Sequence, residues 1–235
     1  MNKRKSLGQH FLKSILIAKS IVSFAEITPN DIVLEVGTGR GILTPYLCEK
    51  ARKVISIEKD PILYSKAKEN FSKFSNLILE QGDAFKTRHD FTIFVSNLPY
   101  SESRRAIEWL VQRRFERAII MVQKEFFQKL TMKTGEKKRR AISVIANYSL
   151  DIQDLMEVRK TNFIPAPRVD SVVIGITQKE QISEDIVRAI NKLFSFKRKT
   201  IRQIGKQLGI EVDSDKRLEE TPESEIIKIA KRISK

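Results

Sequence analysis

From residue 32 onward, short β-branched runs alternate with longer stretches of helical periodicity. Parallel strands must be joined by a long crossover, usually a helix, so this alternation is the sequence form of βαβ units feeding a parallel sheet. The runs at residues 32–36, 54–58, 77–81, 92–96 and 118–123 are expected as strands. Helices are expected near 42–50, 61–71, 104–114 and 124–130, with Pro61 in a first turn, where its missing N–H leaves no bond unmade. After a basic loop at 134–140 come a helix near 142–148 and two more strands, at 152–158 and 171–177. Beyond residue 178 only helical patterns follow, at 184–196, 200–208 and 223–233. The expected architecture is an α/β domain with a seven-stranded sheet over residues 1–178, of which 1–30 form an N-terminal segment, and a small helical domain over residues 179–235.

Composition enters through charge. Lys and Arg total 44 against 29 Asp and Glu, a net of +15, which calls for a polyanionic partner. The excess is localised: residues 1–20 carry five basic side chains and no acid, and residues 101–140 carry twelve basic against five acidic. Residues 21–100 balance at ten against ten. Basic surfaces, rather than a uniform solubilising charge, follow from that distribution. The lone Cys48 excludes an intrachain disulfide and fits a reducing cytosol, and no Cys/His cluster offers a metal site. Residues 15–25 are too short and too polar for a signal peptide or membrane span, so a cytoplasmic protein without a membrane partner is expected.

Directly after the first long strand stands Glu35-Val-Gly-Thr-Gly-Arg-Gly41. Glycines there let the backbone turn tightly and approach a ligand. The spacing is GxGxG, neither the GxGxxG of dinucleotide folds nor a P-loop. Glu58 closes the next strand, where a carboxylate can take both hydroxyls of a ribose, and Asp83 follows the third, where it can accept from the amino group of adenine. Gly37 and Gly39 with these two acids describe an adenosine pocket lacking a pyrophosphate clamp. S-adenosyl-L-methionine, an adenosine carrying a sulfonium amino acid and no phosphate, fits that pocket.

Asn97-Leu98-Pro99-Tyr100 ends the fourth strand. An amino group conjugated to an aromatic ring is a weak nucleophile because its lone pair is delocalised. The Asn97 side-chain oxygen and the Leu98 carbonyl, both accepting from that NH2, would draw the nitrogen toward a tetrahedral geometry and free the lone pair for attack on a methyl group. Pro99 would aim the carbonyl, and Tyr100 would give the extruded base a stacking face.

These motifs, together with Gly8-Gln9-His10-Phe11-Leu12, Gln123-Lys124-Glu125, the run Phe163-Ile164-Pro165-Ala166-Pro167-Arg168-Val169-Asp170-Ser171 and Phe196-Lys197-Arg198-Lys199-Thr200, occur in the order found in one group. The chain resembles the KsgA-type small-subunit ribosomal RNA adenine dimethyltransferases, which share a fold with the Erm resistance methyltransferases. The resemblance runs from residue 6 to about residue 202. It implies a class I S-adenosylmethionine-dependent methyltransferase with a Rossmann-like sheet and a helical C-terminal domain. By the same resemblance, His10, Leu12, Gly37, Gly39, Glu58, Asp83 and Asn97 contact the cofactor. Asn97, Leu98, Pro99 and Tyr100 hold the target amine, and Phe163 sandwiches the flipped adenine against Tyr100. The implied reaction adds two methyl groups to N6 of each of two adjacent adenosines near the 3′ end of small-subunit rRNA, in a monomer acting on a pre-30S-like particle. Ser101-Glu102-Ser103 departs from the pattern of relatives after Tyr100, and the helical appendage is shorter than in many bacterial members.

The basic residues expected to face RNA are Lys3, Arg4 and Lys5, Arg104 and Arg105, the run Lys137-Lys138-Arg139-Arg140, and Lys197, Arg198 and Lys199. Two other readings follow from the same features. A ribosome-assembly factor with dispensable methylation would need only the charge, and an Erm-like enzyme would act on large-subunit 23S rRNA.

Overall fold

The computed structural model describes residues 9–196 and 198–234. Five of its strands run parallel: β2 (Ile32–Val36), β3 (Lys53–Glu58), β4 (Leu77–Gln81), β5 (Ile93–Ser96) and β6 (Arg117–Gln123). Every residue of β5 is buried, as are all of β3 beyond Lys53 and the middle five residues of β6. A strand covered on both faces has no polar side to show, which is why these segments read as continuous apolar runs. Strand β9 (Ser171–Gln178) pairs antiparallel with β6, and β7 (Leu150–Val158) lies outside it, giving the order β4-β3-β2-β5-β6-β9-β7. A separate two-stranded sheet joins β1 (Phe11–Leu12) antiparallel to β8 (Phe163–Ile164). Neither short strand is foreshadowed by the hydrophobic pattern.

Among the helices, α1 (Ile15–Phe24) is capped by Ser14, α2 spans Thr44–Cys48 and α3 spans Pro61–Asn70. Asp60 caps α3 by accepting from the Ile62 and Leu63 amides, and Pro61 occupies its first turn. The chain continues through α4 (Ser103–Leu110), α5 (Lys124–Leu130), α6 (Ala141–Ser149), α7 (Glu184–Ser195), α8 (Ile201–Leu208) and α9 (Glu223–Ile233). Helix α8 starts at a Thr200/Gln203 capping box and stops at Gly209, whose φ of 68° is one that glycine adopts without penalty.

The chain forms two compact units, and neither is a single stretch of sequence. One holds the described residues up to Ser103, with Arg114–Lys124 and Ile152–Thr177. Its apolar core includes Leu12, Ile21, Val33, Leu47, Val54, Val95, Met121 and Phe163. The other holds Arg104–Arg113, Glu125–Asp151 and the described residues from Gln178 onward. Here α6, α7 and α9 pack on one another, and the buried positions of α7 (Val187, Ala189, Ile190, Leu193) and α9 (Ile226, Ile227, Ile229, Ala230) recur at helical spacing. No helix among the described residues is long and apolar enough to cross a membrane.

Candidate active site

The sheet order places a reversal beside β2. From β2 the chain steps outward through β3 to β4, then returns to add β5 on the other side of β2. Such a switch point leaves a crevice at the carboxyl ends of the strands, the usual place for a ligand in an open α/β sheet. Asp83, Glu58, the glycine loop and Asn97 follow the carboxyl ends of β4, β3, β2 and β5, in that order along one edge. Backbone bonds hold neighbouring ends in step, Gly37 N–H to the Ile57 carbonyl at 2.9 Å and Gly82 N–H to the Glu58 carbonyl at 2.9 Å. Leu98 lies against Gly37, its Cδ2 at 3.9 Å from where a Cβ would stand, so the fourth motif abuts the first.

Three bonded hydroxyls underlie the loop. Glu35 Oε2 accepts from Ser56 Oγ at 2.6 Å and Thr44 Oγ1 at 2.8 Å, and Thr38 Oγ1 bonds Ser56 Oγ at 2.7 Å. Thr38 sits between Gly37 and Gly39 and Thr44 follows Gly41, so this network pins the turn from within and at its exit. Burial raises the Glu35 carboxyl to about 7; the two hydroxyl bonds oppose that rise and the nearby Glu58 charge adds to it. The sequence reading missed this role because an acid before a glycine loop looks like any other strand-end charge. Burial, with smaller contributions from Glu35 and Glu49, also pushes the Cys48 thiol up to about 12, leaving it an inert packing group.

Glu58 is 4% exposed. Its Oε2 accepts from Gly39 N–H and its Oε1 from Asp60 N–H, each at 2.8 Å. A carboxylate has about four lone-pair sites, so two remain for hydroxyl donors. Asp83 is half-buried and caps a short 3-10 turn, Ala84–Lys86, through the Phe85 amide at 3.1 Å. The crevice thus offers two carboxylates on adjacent strand ends and a turn whose Gly37 and Gly39 both have positive φ. That set fits an adenosine with hydroxyl and amino donors better than it fits a pyrophosphate.

On the target side, Asn97 is half-buried, and Pro99 leads into a 3-10 turn at Tyr100–Glu102. Tyr100 is tethered by its hydroxyl to Ser171 Oγ at 2.6 Å; burial, helped by the Asp170 charge, raises its pKa despite that bond. The ring stacked on Tyr100 is His10, with centroids 5.5 Å apart and planes inclined by 28°. Phe163, expected opposite Tyr100, is 2% exposed and belongs to the apolar core with Leu12, its register partner across β1 and β8. The β1–β8 pairing, invisible in the sequence, turns the Phe163 ring inward. Phe11, next to His10, lies over the loop: its ring is 3.7 Å from the Cβ position of Gly39 and carries the Arg40 guanidinium at 4.6 Å. A pocket of about 290 Å³ opens on that side, lined by Phe11, Gly39, Arg40, Lys66 and Phe71 among others, and by none of Glu58, Asp83 or Asn97.

A family model described as ribosomal RNA adenine dimethylase matches residues 1–235. The chain belongs to that family. It is 34% identical over 233 residues to ribosomal RNA small subunit methyltransferase A of Thermotoga maritima, covering 96% of this chain and 84% of the relative. Among solved structures, a dimethyladenosine transferase from Plasmodium falciparum superposes with a TM-score of 0.80 at 27% identity, covering 94% of this chain and 96% of the other. The 23S rRNA methyltransferase ErmE superposes with a TM-score of 0.65 at 23% identity, covering 96% and 100%, and shares the fold. The adenine dimethylase family and these neighbours bear out the expected α/β methyltransferase fold with a helical C-terminal part.

For a dimethylase, the basic residues sort into two kinds. Lys137, Lys138 and Arg140 are exposed, as are Arg104, Arg105 and Arg198. Arg104 is engaged by Glu108 at 2.8 Å and Asn191 at 2.7 Å, and Lys199 sits 5.7 Å over the Phe196 ring. Arg139 departs from expectation. It is 1% exposed, and its guanidinium donates to the carbonyls of Leu218, Glu219 and Thr221 and to Glu223 Oε1 at 2.6 Å. Nη1 and Nη2 are taken by these acceptors and Nε, though without a partner among the described residues, is buried, so the guanidinium is out of reach of a phosphate and belongs to the packing of the helical unit. Lys3, Arg4, Lys5 and Lys197 lie outside the described residues.

Proposed function

We propose that this chain is an S-adenosyl-L-methionine-dependent rRNA methyltransferase that dimethylates N6 of two adjacent adenosines near the 3′ end of 16S small-subunit rRNA. The observation that carries the reading is the line of strand ends, with Asp83, Glu58 and the glycine loop on one side of the switch point and Asn97 on the other. When bound, the cofactor supplies an electrophilic methyl group on a sulfonium. Glu58 holds the ribose hydroxyls with its spare lone pairs, Asp83 accepts from the adenine amino group, and Gly37 and Gly39 let the chain lie close. The N-terminal strand, with His10 and Leu12, closes over them.

Asn97 Oδ1 and the Leu98 carbonyl would accept the two N–H groups of the unmethylated amine; once one methyl has been added a single N–H remains for one of them, and after each transfer the nitrogen loses its proton to solvent. Both acceptors favour a pyramidal nitrogen, whose lone pair is then localised for attack. Pro99 fixes the direction of the Leu98 carbonyl, and Tyr100, held by Ser171, stacks the extruded base. Lys137, Lys138, Arg140, Arg104, Arg105, Arg198 and Lys199, with the basic residues at 3–5 and 197, are assigned to the RNA backbone. Residues 1–178 are read as the catalytic part and 179–235 as its helical addition, in a monomer acting in the cytoplasm on a pre-30S-like particle.

The test is transfer from labelled cofactor to undermethylated small subunits and to deproteinised rRNA, with dimethyladenosine mapped by position. Label in adjacent adenines near the 16S 3′ end is expected. Label in 23S rRNA would point to an Erm-like target, and none in either RNA would overturn the enzyme reading. Asn97→Ala addresses the assembly-factor reading: lost methylation with normal subunit maturation removes support for an essential scaffold.

A further inference from the structure

The imidazole of His10 is fixed from several sides. Strand β1 is locked by its pairing with β8, with Leu12 opposite Phe163 and both buried, so the residue before Phe11 has little freedom. His10 Nδ1 stands 2.7 Å from the Pro165 carbonyl oxygen, and since a carbonyl only accepts, Nδ1 carries the proton. The ring then lies on Tyr100, whose own position is set by Ser171. Stacked bases stand about 3.4 Å apart. A base inserted between two parallel rings would therefore need roughly 7 Å, and the centroids here are 5.5 Å apart.

We propose that His10 is a placeholder: in the empty enzyme its imidazole covers the stacking face of Tyr100 that the target base will take, and the base must displace it to stack. The inference rests on the target site assigned above. The device acts before the methyl transfer and adds no chemical step to it. Its neighbour Phe11 covers Gly39, so movement of His10 is coupled through one strand to the cofactor loop.

Two measurements test it. The chain has two histidines, so ring-labelled histidine gives separable imidazole signals, with His89 as an internal control. In the protein alone, Tyr100→Leu should shift the His10 signals and leave those of His89 in place; unmoved His10 signals overturn the stack. The second measurement is methyl transfer at saturating cofactor by wild type, His10→Ala and His10→Phe, on undermethylated small subunits. Aromatic pairs of this kind hold roughly two- to tenfold in an equilibrium. At saturating cofactor, which sets aside the cofactor contact assigned to His10, His10→Ala should lower KM for the particle by about that factor. His10→Phe, a harder ring to displace, should raise KM. Loss of kcat with a raised KM in both variants means a purely structural role and overturns the proposal, as does an unchanged KM in both. Failure of the wild type to methylate rRNA at all would instead overturn the function reading beneath it.

Discussion

Glu58 and Gly39 meet at 2.8 Å, carboxylate oxygen to backbone N–H, and this bond ties the cofactor loop to the tip of the neighbouring strand. The other oxygen of Glu58 holds the Asp60 amide, so one side chain sets both the loop and the start of α3. Glu58→Gln leaves a single acceptor oxygen and turns an NH2 toward one of two N–H donors. A hydrogen bond to a charged acceptor is worth roughly 1.5–3 kcal/mol, so cofactor affinity measured by calorimetry should fall about ten- to a hundredfold. An unchanged affinity would mean the loop is held by other interactions.

Arg139 and its exposed neighbours should behave as opposites. Leaving a buried acceptor unpaired costs about 1–3 kcal/mol, and Arg139→Met, which keeps bulk but removes the donors to the buried carbonyls of Leu218 and Thr221, should lower the thermal midpoint clearly while leaving the salt dependence of RNA binding alone. Lys137→Ala with Lys138→Ala should do the reverse. Stability should stay within about 0.5 kcal/mol, and the slope of log affinity against log salt should flatten by roughly 0.7–0.9 for each phosphate no longer neutralised. A normal midpoint for Arg139→Met would refute its structural assignment.

The buried Glu35 gives stability a pH signature. Its carboxyl is raised to about 7 from 4.5, so between those values the folded state holds a proton that the unfolded chain has released. The stabilisation from that proton is complete below pH 4.5, declines as pH rises and is gone above about 7. Glu35→Gln keeps an acceptor for Ser56 and Thr44 without titrating. Urea unfolding at a series of pH values should show wild type losing ground to the variant from pH 4.5 to 7 and a constant gap above that. A gap that does not change with pH would remove the assignment.

Tyr100→Phe and Tyr100→Ala separate the tether from the stack. Phenylalanine keeps the ring and loses only the bond to Ser171, a neutral hydrogen bond worth about 0.5–1.5 kcal/mol. Alanine also loses base stacking, roughly 1–3 kcal/mol. KM for the RNA should rise in that order, and equal effects would argue against a stacking role.

The central strands were legible because burial on both faces writes an apolar run into the sequence: β2 falls at 32–36 as expected, and β5 and β6 differ by one residue at one end. Strand β4, an edge strand with no fully buried residue, was legible at 77–81 from its Leu-Ile-Leu run instead. The strand-end acids were legible for the same reason, since each follows a run whose end is visible. What escaped detection depends on partners far along the chain. Strands β1 and β8 have two residues each, too few for any periodicity, and they pair across some 150 residues. The Lys-Lys-Arg-Arg run looks uniformly exposed, and only the carbonyls at 218–221, with Glu223, distinguish Arg139 within it. His10 took its place on Tyr100 through that same short pairing, where the sequence pointed to Phe163.

The switch point beside β2 divides what can change independently. Segments that follow β3 and β4 lie on the adenosine side of the crevice, and the segment that follows β5 carries the nucleophile side, with Asn97 and Leu98 at the boundary between them. A lineage could therefore exchange one acceptor of methyl groups for another by altering residues 99–103 and the 163–171 connection, while the donor pocket stayed intact. Substrate range in this architecture is modular, and its seam runs between two adjacent strands.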